Sequence, residues 1–85
     1  MNREIILVTA PWCTSCGPVK TMFSSLEVPG VTLKICDVED EGIPANITSV
    51  PVILFKENDD YLLTHYGAMD VYQFKHAIHS LWSDI

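Results

Sequence analysis

Two cysteines, Cys13 and Cys16, stand three positions apart in Trp12-Cys13-Thr14-Ser15-Cys16, directly after an apolar run and directly before a helix-period segment. Thiols at that spacing suit disulfide exchange. The chemistry needs an attacking thiol that is deprotonated near neutral pH and a second thiol close enough to release the mixed disulfide. Ile5-Ile6-Leu7-Val8 reads as a short buried strand, and a helix beginning near Cys13 aims free backbone N–H groups and a positive dipole end at its sulfur. Cys13 is therefore the expected attacker. Cys16, one helical turn on, is the expected resolving thiol. A closed zinc site is the alternative use of such a pair, but it wants four ligands, and the chain has no second Cys-x-x-Cys.

Composition narrows the setting. With 85 residues, 48% of them hydrophobic, the chain is expected to form one domain, residues 1–85, with a small core of its own. Three cysteines, an odd number, argue against a secreted disulfide framework and for a reducing compartment, the cytoplasm by default. The apolar run after Arg3 and Glu4 is too short for a signal-peptide core or a membrane span, so no membrane attachment is expected. The net charge of −6, from 11 acidic and 5 basic residues, disfavours binding to nucleic-acid phosphates and leaves a protein as the plausible partner. The acids gather at Asp37, Glu39, Asp40 and Glu41 and at Glu57, Asp59 and Asp60, where they read as solvated loop charge.

The elements that must position the cysteines follow from periodicity. Val19, Met22, Phe23 and Leu26 form the stripe of a helix packed on a sheet, which Pro29-Gly30 is expected to end. Val31 to Asp37 alternates as a strand, and strand, helix, strand implies a parallel crossover. Val38 to Ser49 is interrupted by Gly42 and Pro44 and is expected to hold at most one short helical turn. Val52-Ile53-Leu54-Phe55 and Tyr61 to Tyr66 read as an antiparallel hairpin around a loop at residues 56–60. Asp70 followed by Gln73 predicts a capping box, and Val71, Phe74, Ile78, Leu81 and Ile85 carry a helical stripe to the end.

This order resembles the thioredoxin family over nearly the whole chain. Three segments carry the resemblance: Ala10-Pro11-Trp12-Cys13-Thr14-Ser15-Cys16 is similar to the active-site segment, Ile47-Thr48-Ser49-Val50-Pro51 to the approach to the cis-proline, and Tyr66-Gly67-Ala68 to the glycine loop before the last helix. The resemblance implies a minimal thioredoxin-like α/β fold, β-α-β, a short connection, then β-β-α, with a four-stranded mixed sheet. It also implies a cis Val50-Pro51 bond and a shallow substrate groove formed by Trp12, Val50, Pro51, Gly67 and Ala68, in which the backbone before the proline pairs with an extended peptide. The activity implied is protein-disulfide reduction by a monomer cycling between dithiol and Cys13–Cys16 disulfide. No metal or other cofactor is implied, and a thioredoxin reductase-like protein would supply the electrons.

Departures bear on how the pair is tuned. Thr14-Ser15 replaces the usual Gly-Pro between the cysteines, and a Gly-Pro pair follows as Gly17-Pro18, where Pro18 is expected to remove an early helix hydrogen bond and bend the helix. The buried acid and neighbouring lysine of many thioredoxins align with Leu7 and Ile35, so water, Asp37 or Glu39 must take the proton of Cys16. In size the chain is closer to glutaredoxins and to the compact thioredoxin-like proteins of phages and archaea. A glutaredoxin's aromatic second spacer and Gly-Gly-x-Asp segment appear here as Ser15 and Gly67-Ala68-Met69-Asp70, and the Gly-x-x-Asp remnant makes reduction by glutathione the first rival. A non-catalytic interaction module is the second. Among the remaining candidates, Cys36 reads as a buried strand thiol, His65, His76 and His79 as surface residues, Lys20 as an exposed lysine and Trp82 as packing or a partner contact.

Overall fold

The computed structural model describes residues 2–40, 42–44, 47 and 49–85; Glu41 of the first acidic cluster and Thr48 of the proline segment lie outside the described residues. The elements are β1 (Arg3–Thr9), α1 (Cys16–Ser24), β2 (Val31–Asp37), β3 (Val52–Glu57), β4 (Asp60–Tyr66) and α2 (Val71–Leu81). They build one mixed four-stranded sheet in the order β2-β1-β3-β4. β1 runs parallel to β2, with Leu7 facing Ile35 and Thr9 facing Asp37. β3 is antiparallel to both β1 and β4. This is the minimal thioredoxin-like α/β architecture.

The central strands β1 and β3 read as continuous apolar runs because they are buried on both faces. Alternate side chains then supply two separate cores. Ile5, Leu7, Ile53 and Phe55 face Val19 and Phe23 of α1 and Phe74, Ala77 and Ile78 of α2, together with Trp82. Ile6, Val8, Val52 and Leu54 face the other way, against Ile47, Ile43, Val38 and Cys36. The first core is aromatic at its centre. The Phe74 ring, fully buried, lies 5.8 Å from both Phe23 and Phe55, and Phe55 lies 6.4 Å from Trp82. Trp82 is thus a packing residue. Arg3 stacks 5.4 Å from the Trp82 ring and pairs with Glu57 and Asp84 at 3.1 Å each, which ties the end of the chain to β1.

Several boundaries depart from the sequence expectation. α1 begins at Cys16 and not near Cys13, because Cys13 N–H first closes a turn onto Ala10 C=O at 3.0 Å. Pro18 consequently falls in the first helical turn, where no intrahelical N–H bond exists to lose, so it removes no helix bond. α1 also stops at Ser24, well before Pro29-Gly30. Ser25 donates both its hydroxyl and its N–H to Met22 C=O, at 2.7 and 3.2 Å, and that competition ends the helix. β3 and β4 run further than the apolar residues suggested, so only Asn58-Asp59 is left as the turn; Asn58 adopts φ 55°, a left-handed conformation that asparagine tolerates.

α2 starts on a complete capping box: Asp70 Oδ1 accepts the Gln73 N–H at 2.8 Å, and Gln73 Oε1 accepts the Asp70 N–H at 3.1 Å. It ends at Leu81, and Ile85 packs on the core from beyond the helix. The connection between β2 and β3 contains turns and no helix among its described residues.

Candidate active site

β1 delivers the chain to the open end of the sheet, and the Ala10–Cys13 turn presents Trp12 and Cys13 there before α1 begins. Cys13 and Cys16 are joined by a disulfide with their Cα atoms 5.5 Å apart. The two sulfurs differ in access. Cys13 is half-buried, whereas Cys16, the first residue of α1, is 2% exposed and part of the main core. A partner disulfide can therefore reach Cys13 more readily than Cys16.

Cys13 stands two residues before the N-cap of α1, at the positive end of the helix dipole. The α1 N-terminus carries no acidic residue in its first turn, so its partial positive charge is uncompensated. Ser15, the N-cap residue, does not cap the helix with its side chain; its hydroxyl lies 3.6 Å from Cys13 Sγ and can donate to it. This contact was not expected from the sequence. A serine before a helix reads as a cap, and only the turn geometry turns its hydroxyl toward sulfur.

Among the other residues of the expected groove, Val50 shares a core cluster with the cysteines, and Pro51 is tied to Gly67. The Val50-Pro51 bond is cis. Val50 and Cys13 both pack on the core cluster that contains Cys16. Gly67, at φ 98°, donates its N–H to Pro51 C=O at 2.9 Å, which holds the Gly67-Ala68 loop against the proline. His65 Nε2 sits 3.4 Å from Ala68 C=O across the same loop. Trp12 is 67% exposed and Ala68 is exposed, while Pro51 is buried and Gly67 half-buried.

Leu7 is fully buried, and Ile35, its register partner on edge strand β2, is 42% exposed. Neither position offers a proton acceptor. The acidic turn lies at this end, as parallel pairing requires, because Val38 N–H donates to Thr9 C=O at 2.8 Å. Its carboxylates are partly engaged locally: Asp37 Oδ1 accepts the Glu39 N–H at 2.9 Å and Asp40 Oδ2 accepts the Asp37 N–H at 2.8 Å. Lys20, His76 and His79 are exposed, and no cluster of three or more metal-ligating side chains occurs among the described residues.

Cys36 is the one free thiol. It is half-buried on the second core face, and desolvation, with the Asp40 and Glu4 charges adding and Lys34 opposing, pushes its pKa up. A raised pKa leaves less thiolate at any given pH, so alkylation of Cys36 accelerates only as the pH climbs through that higher value. In the fully reduced protein at neutral pH, Cys36 should therefore label roughly tenfold or more slower than Cys13. A mass-resolved alkylation time course checks this, and equal rates would show that the two environments do not differ.

No protein-family model matches the chain, and no curated protein does. Solved structures match well. Thioredoxin O1 of Arabidopsis thaliana in its oxidised state superposes with a TM-score of 0.71 at 27% identity, over 93% of this chain and 77% of that one. The thioredoxin of Malassezia sympodialis, Mala s 13, gives 0.77 at 23% identity, over 93% and 74%. Fasciola hepatica thioredoxin gives 0.79 at 21%, over 93% and 80%. In those alignments, as in the motifs, the likeness covers nearly all of the present chain. The chain thus has a compact thioredoxin-like fold with a Cys13–Cys16 disulfide where the first strand gives way to the first helix, and the fold and the disulfide together support thiol–disulfide oxidoreductase chemistry in general.

Proposed function

We propose that this protein reduces disulfides of partner proteins in the cytoplasm through a Cys13/Cys16 dithiol–disulfide cycle. The observation that carries the reading is the unequal access of the two bonded sulfurs, Cys13 half-buried and Cys16 enclosed, at an uncompensated helix N-terminus. The Cys13 thiolate attacks one sulfur of the substrate disulfide; a Cys13–substrate bond forms, and the other substrate sulfur leaves as a thiolate and takes a proton. Cys16 then loses its proton to water or to Asp37 and attacks Cys13 Sγ. The Cys13–Cys16 bond forms, the mixed disulfide breaks, and two electrons have passed to the substrate. An extended substrate segment lies along Trp12, Val50-Pro51 and Gly67-Ala68, pairing with the Val50 backbone.

A flavoprotein of the thioredoxin reductase type restores the dithiol. Glutathione is disfavoured as donor because Ser15 stands where a glutaredoxin's usual aromatic second spacer would be and Gly67-Ala68 stands in place of its Gly-Gly. The test is to follow reduction of the oxidised protein by such a reductase with NADPH, and separately by glutathione alone. Fast reduction in the first and slow reduction in the second is the expected result; the reverse would reassign the protein to glutathione-dependent chemistry.

A further inference from the structure

Among the described residues, no charged side chain bonds to either sulfur of the Cys13–Cys16 pair. The charged or titratable groups on neighbouring elements are Lys20 on α1, Asp37, Glu39 and Asp40 after β2, His65 on β4 and Asp70 before α2, and their hydrogen bonds, where they make them, go elsewhere. Cys13 packs against the apolar main core. One polar side chain among the described residues does reach it, the Ser15 hydroxyl, 3.6 Å from Cys13 Sγ.

That hydroxyl makes no other bond. Asp70, extended at ψ 173°, turns its side chain onto the first turn of α2, whereas Ser15 sits at φ −80° and ψ −7° and makes no capping bond to α1. The turn closed by Cys16 N–H on Cys13 C=O, at 3.4 Å, folds residue 15 back toward residue 13. A hydroxyl has one proton to donate, and a disulfide sulfur is a weak acceptor. A thiolate is a charged and much stronger one, so the contact gains strength when the disulfide opens and charge appears on Cys13 Sγ.

We propose that Ser15 is a catalytic residue whose hydroxyl donates to the Cys13 thiolate, raising the share of attacking sulfur while lowering the reactivity of each thiolate. The assignment rests on Cys13 being the attacker. Ser15 keeps its proton throughout: the Cys13 thiolate bonds to one substrate sulfur, and the other leaves with the electron pair of the broken bond. A hydrogen bond to the charged form favours that form, here by about tenfold at the weak end of charge-assisted bonds. A sulfur whose charge is better held is also the poorer nucleophile, by about threefold for a tenfold change in basicity. The two effects oppose each other, and pH decides between them. Where most of Cys13 is protonated the larger thiolate share wins; where all of it is ionised only the lost reactivity remains.

The test is exchange of the reduced full chain with an aromatic disulfide reagent across acid and alkaline pH, in a Cys16→Ala background so that the first adduct persists and is located by mass. Ser15→Ala should react roughly threefold slower than its parent on the acid side and roughly threefold faster on the alkaline plateau, so that the two curves cross. Ser15→Thr, which keeps a hydroxyl, should follow the parent. The melting transition should stay in place in Ser15→Ala, because the hydroxyl caps no helix N–H. A Ser15→Ala curve that matches the parent at every pH, or lies below it at every pH, overturns the proposal, as does a threonine variant that behaves like alanine or a lowered melting transition in Ser15→Ala. Absence of fast reaction at Cys13 in the parent itself removes the attacker assignment, and the role of Ser15 with it.

Discussion

Turnover of a disulfide-bearing protein substrate by the Cys13→Ser variant should fall by roughly three orders of magnitude or more, since the variant has no nucleophile to open the substrate bond. Cys16→Ser should fail differently. It attacks once, cannot release the product, and accumulates as a covalent adduct through Cys13, visible as a mass increase that a reductant removes. The difference follows from access: Cys13 is half-buried at the open end of the sheet, while Cys16 is sealed into the core at the first residue of α1. Single-turnover kinetics with mass detection separates the two phenotypes. Ready turnover by the Cys13 variant, or trapping through Cys16 in its place, would reverse the roles of attacker and resolver.

The second large effect is on stability. Phe74 joins α2 to α1 and to the sheet through its contacts with Phe23 and Phe55, and it is fully buried. Phe74→Ala should cost about 3–5 kcal/mol, from lost transfer free energy plus the cavity left between the helices. A single small domain is stable by only about 5–15 kcal/mol, so the variant should be partly unfolded or melt far earlier. Phe74→Leu, which leaves the space mostly filled, should cost about 1–2 kcal/mol. Urea midpoints at unchanged slope measure both. Equal losses in the two variants would mean that the site collapses around the smaller side chain and that the aromatic contacts carry little.

Much of this architecture was legible because periodicity and caps state it directly. The Val19–Phe23 stripe, the alternation from Val31 to Asp37 and the Asp70–Gln73 box each name one element and one face, and the structure contains all three. What stayed hidden are features decided by geometry several residues away. The start of α1 depends on the Ala10–Cys13 turn, and its end on two serine bonds to Met22, neither of which has a period. Glu57 and Asp60 look like loop residues, yet they complete a hairpin at the sheet edge, where polar side chains cost little. Ile35 continues an apolar alternation but remains exposed, because its strand is an edge.

The site divides along the same line. Cys13 and Cys16 are read from spacing alone, since few other uses fit a lone pair of thiols at a strand-to-helix junction. Val50-Pro51 and Gly67-Ala68 are separated from the cysteines by a long stretch of chain, and only the resemblance assigns them to the expected groove. The Ser15 hydroxyl was missed altogether, because a helix-start serine has a commoner use that here goes unfilled.

The central claim, that Cys13 and Cys16 form a reversible redox couple that delivers electrons, is tested most directly by equilibrium titration against glutathione buffers, with thiol alkylation read by mass. The account predicts one two-electron transition in which both labels are lost together, with a midpoint below the glutathione poise and with Cys36 labelled at every poise. Failure to form the intramolecular disulfide, or its replacement by a stable glutathione adduct on Cys13, would contradict it.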